Sequence, residues 1–338
     1  MTVRTRKTVV VTGGAGVVGR DLIARLREDF RVIALTHINA DLPGVDVVRC
    51  DIARPHLGLS DSDWADLANV VDVVVHSAAI TTWGLSKDHY LPVNVDGTRH
   101  VVELGRVADA PVHFISSSFV QALESPRCQE ILGPTNVVYP YIWSKREAER
   151  IVRESGLPYD IYRATNLVGN SATGASSRPQ IVQVMADWIA RGKAPYFPAH
   201  PGNLLDFAPV DAVSCAVAGA IDASDFGQEL WITYGHESLT VEEGLQEIVN
   251  HARSLGRSLD LPPVVDPRTI PPAAIEDVPA MSRQYLKVLI DVSEVTHASG
   301  GVLPSSLSTL RTKYGASGIG CAEAFRQSLR YWAAQRQI

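Results

Sequence analysis

Residues 8–12, Thr-Val-Val-Val-Thr, run straight into Gly13-Gly14-Ala15-Gly16-Val17-Val18-Gly19-Arg20, and no other stretch of the chain restricts the fold as tightly. A short, continuous β-branched run reads as a strand buried on both faces in the middle of a parallel sheet. The glycines allow a tight turn and a close approach of backbone to a ligand. Val17, Val18, Leu22, Ile23 and Leu26 then recur at helical spacing, so a helix begins where the glycines end. Strand, glycine turn and helix N-terminus together aim backbone N–H groups at a pyrophosphate. The stretch satisfies both Gly-x-Gly-x-x-Gly and Thr-Gly-x-x-Gly-x-x-Gly, and its flanks supply the context that an isolated triplet lacks. The expectation is an α/β fold: a Rossmann-like, doubly wound parallel sheet that binds a dinucleotide through Gly13, Gly14, Ala15, Gly16, Val17, Val18 and Gly19.

Further strands are expected at 31–35, 45–50, 70–76 and 112–115. The second ends at Thr36 and His37, where an NAD enzyme places an Asp or Glu on the ribose 2′-hydroxyl, and Asp41 lies further into the loop. Arg20 matches the geometry of a 2′-phosphate and, as a first-turn cation, sits badly with the helix dipole. NADP(H) is therefore favoured over NAD(H), with Thr36 and Arg20 at the adenosine end. Asp51, followed by Ile52, can bond the adenine amino group or simply cap its loop. After the fourth strand His76 reads as a packing residue, and Ser77, Ala78 and Ala79 are small enough for close cofactor approach. Asn94, in the helix-poor run Asn94-Val95-Asp96-Gly97-Thr98, either bridges backbone and water behind a site or marks a helix kink.

In Tyr141-Ile142-Trp143-Ser144-Lys145 the phenol and the ammonium share one helical face. A cation beside a tyrosine favours the phenolate, so Lys145 is expected to lower the Tyr141 pKa and tune it as an acid. Ser116-Ser117-Ser118 follows the fifth strand and faces the ligand crevice at its carboxyl end.

Composition excludes several classes. A net charge of −6, from 31 basic and 37 acidic residues without long runs of either sign, argues against a nucleic-acid partner. No segment approaches the ~18 apolar residues of a membrane span, and the first seven residues lack a secretory signal. Cys50, Cys128, Cys215 and Cys321 form no Cys-x-x-Cys pair, the ten histidines show no ligand spacing, and no metal is assigned. A cytoplasmic protein with free thiols is expected.

With these landmarks in order, the chain resembles an extended short-chain dehydrogenase/reductase. The resemblance rests on Thr12 to Gly19, Asp51, His76 to Ala79, Asn94 to Thr98, the serine run, Tyr141 with Lys145, and Arg163-Ala164-Thr165-Asn166-Leu167-Val168-Gly169. It departs from the family at Ala164, where proline is common, and at Gln121-Ala122, where many members carry Tyr-Gly. The register against Val120 makes Ser117 the catalytic Ser/Thr and Ser118 the runner-up. The stretches 157–163, 170–174 and 205–211 are more similar to thioester and fatty acyl reductases than to sugar-nucleotide epimerases. The resemblance implies Tyr141 as proton donor, Ser117 as second donor, and Lys145 on the nicotinamide ribose, with Asn94 completing the catalytic set. It places Ser116, Ala164, Asn166 and Leu167 with the cofactor, and Thr81, Ser118, Phe119 and Asn166 toward substrate. Arg178, in the loop at 171–179, can meet a phosphate or carboxylate of the substrate. For Arg178 a solvated loop arginine is the competing reading.

The second half loosens. A Ser/Gly/Thr-rich loop at 171–179, a returning strand at 230–234, a Thr-capped amphipathic helix at 240–255, a proline-dense extended connection at 261–279 and a final helix at 322–336 are expected. The domain reading is 1–165 for the dinucleotide, with 204–235 returning to it, and 166–203 with 236–338 for substrate. The expected activity is NADP(H)-dependent reduction of a carbonyl, foremost an acyl thioester carried by a protein or by CoA, in a small-molecule or carrier-bound substrate. An NAD-dependent epimerase or dehydratase and a non-catalytic dinucleotide sensor are the alternatives, and a homodimer is a family-based expectation.

Overall fold

The structure is a computed structural model describing residues 6–38 and 40–336; most of the N-terminal heptad lies outside the described residues. Six strands, β1 (Thr8–Thr12), β2 (Arg31–Thr36), β3 (Asp46–Arg49), β4 (Val73–His76), β5 (Val112–Ser117) and β6 (Tyr159–Ala164), join a later strand, Glu229–Ile232, in one sheet. The order across it is Glu229–Ile232, β6, β5, β4, β1, β2, β3, and every neighbouring pair is parallel. The fold is the Rossmann-like doubly wound sheet, with order reversing between β1 and β4, where such sheets open a ligand crevice.

Successive side chains on a strand point to opposite faces. Val9 and Val11 enter one core with Leu22, Ile23 and Leu26, while Val10 enters the other with Ile33, Val74 and Leu104. This two-sided burial is why the first run is apolar without alternation. Helix Val17–Leu26 lies on the first face against Val210–Ala223, and Tyr139–Arg153 packs with Gly97–Ala108 on the second.

Several boundaries differ from expectation. Residue 70 ends helix Asp61–Val70, so the fourth strand begins at Val73. The fifth runs two residues longer, which takes Ser116 and Ser117 into the ladder opposite Arg163 and Ala164. Asn94 lies in a π-turn, Leu91–Asp96, leading into Gly97–Ala108. The 261–279 stretch is not simply extended: Val264–Val265 pairs with Phe197–Pro198, and Pro267–Thr269 and Pro272–Glu276 are short helices that begin on proline, where its missing N–H costs nothing.

The remaining chain is mostly helical. Ile181–Ala190, Val241–Ser254 and Cys321–Gln335 pack together, while Ala280–Ala298 lies on the Ser118–Glu124 turn and Cys128–Leu132. Thr240 caps its helix through a reciprocal box with Glu243. Gly169 N–H donates to Ser328 Oγ at 3.1 Å, tying the segment after β6 to the final helix. Among the described residues no helix is long and apolar enough to cross a membrane.

Candidate active site

The cradle is built by close packing of backbone. Gly13 has φ +70°, and a Cβ there would lie 2.8 Å from Ala78 Cα; one at Gly19 would lie 2.2 Å from the Gly13 carbonyl oxygen. Thr12 Oγ1 accepts the N–H groups of Ser77 and Ala78, both at 3.1 Å, so the small residues after β4 are fixed beside the turn. Helix Val17–Leu26 starts at Gly16 with neither a side-chain cap nor an acid in its first turn, leaving its leading N–H groups and dipole free for an anion. Thr36 Oγ1, buried at the end of β2, finds no hydrogen-bond partner among the described residues. These features fit a dinucleotide lying across Gly13 to Gly19 toward Thr36.

Other expected cofactor residues stand nearby in different states. Arg20 donates through Nε to the Ala15 carbonyl at 3.3 Å and through Nη1 to the Asp41 carbonyl at 3.2 Å. It therefore leans over the loop after β2. Asp51 is engaged as a loop cap, by Ala53 N–H at 3.1 Å and Arg54 Nε at 3.3 Å, and Ile52 packs against Gly97. Ser116 turns away from the crevice: its hydroxyl donates to buried Glu149 at 2.6 Å, because the ladder puts it on the face opposite Ser117.

Tyr141, Ser117 and Lys145 come together at the carboxyl end of β5. Ser117 stands beside the Tyr141 hydroxyl and favours its ionised form, and Ser117 Oγ accepts the Phe119 N–H at 3.4 Å. The expected cation effect on Tyr141 is not what this arrangement gives. Burial pushes the phenol up to about 12, partly opposed by Ser117 and reinforced by Tyr90. Lys145 Nζ instead donates to the Ile115 carbonyl at 2.6 Å and sits 4.3 Å from the Phe114 ring centroid. Burial also draws the Lys145 ammonium down to about 7, with Glu149 pulling the other way.

Asn94 bridges backbone from within its π-turn. Its Oδ1 accepts the Ile80 N–H at 2.8 Å, while Nδ2 donates to the Ile80 carbonyl at 3.0 Å and to Ser144 Oγ at 2.9 Å. Ser144 in turn donates to the Tyr141 carbonyl at 2.7 Å. A second chain runs from the glycine turn through a histidine read from sequence only as packing. Thr98 Oγ1 donates to the Asn94 carbonyl at 2.7 Å, so it accepts from His76 Nε2 at 3.0 Å; His76 Nδ1 then accepts from Thr12 Oγ1 at 2.8 Å. This order requires the neutral Nε2–H tautomer. Burial first, and Lys145 second, hold His76 down at about 3, which keeps it in that form.

Ala164 faces Ser117 across the ladder, and Asn166, followed by Leu167, donates to the Asp206 carbonyl at 3.3 Å. Asp206 is a buried carboxylate that no sequence motif singled out; it accepts from Tyr234 N–H, Gly235 N–H and Ser238 Oγ, and burial lifts it to about 6. Ser118 is fully buried with a hydroxyl unpartnered among the described residues, and Phe119 packs 6.1 Å from the Trp83 ring. Thr81 and Arg178 are exposed, and among the described residues no hydrogen bond or ion pair links either side chain to Tyr141. No cluster of metal-ligating side chains occurs among the described residues.

A model of the NAD-binding family described as male sterility protein matches residues 24–217. The chain belongs to this family. It is an extended short-chain dehydrogenase/reductase, and an NAD(P)-dependent oxidoreductase. A linear gramicidin synthase of Brevibacillus parabrevis is 33% identical over 204 residues, which are 57% of this chain and 4% of that protein. The polyketide synthase-nonribosomal peptide synthetase phmA of Phaeosphaeria nodorum is 25% identical over 276 residues, 75% of this chain and 7% of its own length. The chain thus spans only a small part of the curated relatives it matches. In fold it is similar to the terminal R domain from the myxalamid PKS-NRPS pathway, at TM-score 0.74 and 22% identity, over 100% of this chain and 93% of that one. It is also similar to the reductase domain of a nonribosomal peptide synthetase from Mycobacterium tuberculosis, at TM-score 0.63 and 17% identity, over 98% and 93%.

Proposed function

We propose that this extended short-chain reductase uses NADPH to reduce an acyl thioester presented on a carrier protein or CoA, releasing an aldehyde and a free thiol. The observation that carries the reading is the placement of buried Tyr141 beside Ser117 at the carboxyl end of β5. The relatives named as peptide and polyketide synthetases support the thioester class. Bound in the cradle, the dinucleotide supplies a hydride.

Ser117 and Tyr141 hold the thioester carbonyl oxygen, and as negative charge gathers there Tyr141 gives up its proton. A phenol kept high by burial is protonated at neutral pH, the form this role needs. Lys145 would hold the nicotinamide ribose of the bound dinucleotide, and its charge there would help the proton leave Tyr141. Collapse of the resulting hemithioacetal breaks the carbon–sulfur bond, and the thiol leaves with a proton. Arg20, over the loop after β2, takes the 2′-phosphate of NADPH in this reading. Residues 1–165 with 204–235 form the dinucleotide part, and 166–203 with 236–338 the substrate part. The setting proposed for this reaction is cytoplasmic.

The test is the reduced-nicotinamide absorbance with NADPH or NADH and acyl-CoA, acyl-carrier or simple carbonyl substrates, with thiol release followed in parallel. NADPH consumed in step with thiol release is the expected outcome. Consumption without thiol release assigns ketone or aldehyde reduction, and a tightly held NAD(H) with no consumption overturns the proposal in favour of epimerisation or dehydration.

A further inference from the structure

Glu149 lies one helical turn beyond Lys145 and is fully buried. Its two oxygens receive four hydrogen bonds: Ser116 Oγ at 2.6 Å, Arg163 Nε and Nη2 each at 2.9 Å, and Arg153 Nη2 at 2.9 Å. Glu229 closes the group, accepting from Arg163 Nη2 at 2.6 Å and from Arg153 Nε and Nη2 at 2.7 and 2.8 Å. Two carboxylates thus balance two guanidinium groups. The strand members stand beside candidate site residues: Ser116 precedes Ser117 on β5, and Arg163 precedes Ala164 on β6.

We propose that Glu149 is a positioning residue for the reaction: its carboxylate fixes the Tyr139–Arg153 helix against β5 and β6 and supplies the countercharge for the Lys145 ammonium. This rests on the reading that a protonated Lys145 holds the nicotinamide ribose.

A buried ion pair by itself argues for little beyond packing, since desolvation offsets much of its attraction. The surroundings of Lys145 carry the inference further. Residues four apart share a helix face, so Glu149 sits on the same side as Lys145. From β5 Lys145 meets the uncharged Ile115 carbonyl and Phe114 ring, from β4 it is near a neutral His76, and Tyr141 on its own helix is protonated. Among the described residues, Glu149 is the anion acting on Lys145, and the cations behind it, Arg163 and Arg153, are neutralised through it and Glu229. Removing the Glu149 charge leaves this group one positive charge in excess, so Lys145 gives up its proton at lower pH.

NADPH affinity, read from nicotinamide fluorescence between about pH 6 and about pH 9, tests this in the wild type, Glu149→Gln, Glu229→Gln and Lys145→Met. Wild-type affinity weakens as pH rises past about 7. In Glu149→Gln the break moves down by about half a pH unit or more, in Glu229→Gln by less, and in Lys145→Met it disappears. A Glu149→Gln protein that is less heat-stable but breaks at the wild-type pH overturns the proposal, as does a break that survives in Lys145→Met. If Glu149→Gln does not fold, an unmoved break in Glu229→Gln overturns it. Thioester turnover, measured separately, distinguishes the two readings: its absence in a wild type that keeps the pH break defeats the proposed substrate and not the role of Glu149.

Discussion

The glycine turn and the Tyr139–Arg153 helix, the two regions proposed to meet the dinucleotide, are built by opposite means. The cradle works by absence: no side chain holds the backbones of Gly13, Gly19 and Ala78 apart, and no acid stands in the helix's first turn. The helix works by presence, placing a phenol, an ammonium and a carboxylate in a buried setting where each is costly to keep. Adding atoms should therefore damage the first, and removing them the second.

The largest effect is expected on the helix. Tyr141→Phe keeps the ring and deletes the proton, and loss of a general acid lowers turnover by about 100- to 10,000-fold. NADPH affinity should stay nearly at wild-type value, measured by fluorescence titration. A variant that loses binding and keeps turnover breaks the distinction between the two regions.

Gly19→Ala tests the other side. Its Cβ would lie 2.2 Å from the Gly13 carbonyl oxygen, so the turn must open. Overpacking of this kind costs about 1–3 kcal/mol, which, taken up at the cradle, corresponds to roughly fivefold to 150-fold weaker NADPH binding. Turnover at saturating NADPH should fall much less than affinity. Equal losses in both would mean that the cradle and the helix act as one unit.

The link between the regions, Thr12 through His76 and Thr98 to Asn94, has a pH signature. The folded-state pKa of His76 is depressed to about 3 from an ordinary 6.5, so the unfolded chain binds the extra proton first. The stabilisation is fully present above about pH 6.5 and is lost as pH falls toward 3; at pH 5 the loss is about 2 kcal/mol. Urea unfolding at pH 7 and 5 measures it. A His76→Gln protein should be less stable at pH 7 and show a smaller drop between those pH values.

How legible each region was follows from what encodes it. Val9 to Val11 are buried on both faces, so the strand appears as an uninterrupted apolar run, and the glycine turn is legible because only glycine fits it. Tyr141 and Lys145 announce themselves by spacing. The sixth strand did not, because Asp160 and Arg163 interrupt its apolar pattern, and the partners that permit their burial, His113, Glu149 and Glu229, lie far along the chain. The π-turn at Asn94 was visible as a helix-poor run whose geometry local preference could not specify. Glu149 carried a local signal, four residues after Lys145, but its meaning depends on Ser116 and Arg163 arriving from separate strands.

The smallest expected effect sharpens the cradle itself. Arg20 is the charged side chain at the cradle's edge that the sequence tied to cofactor choice, and among the described residues its guanidinium holds two carbonyls, those of Ala15 and Asp41. Charge-assisted bonds from arginine to phosphate are stronger than bonds to neutral carbonyls, so a 2′-phosphate can displace these contacts while a 2′-hydroxyl gives little reason to. Arg20→Ala should weaken NADPH binding by about tenfold, the equivalent of about 1.4 kcal/mol, and change NADH binding by about twofold or less. The two titrations are done side by side at the same salt concentration, since screening reduces the difference. Equal effects on the two nucleotides make Arg20 a brace between the turn and the loop after β2, and leave phosphate recognition to the backbone N–H groups alone.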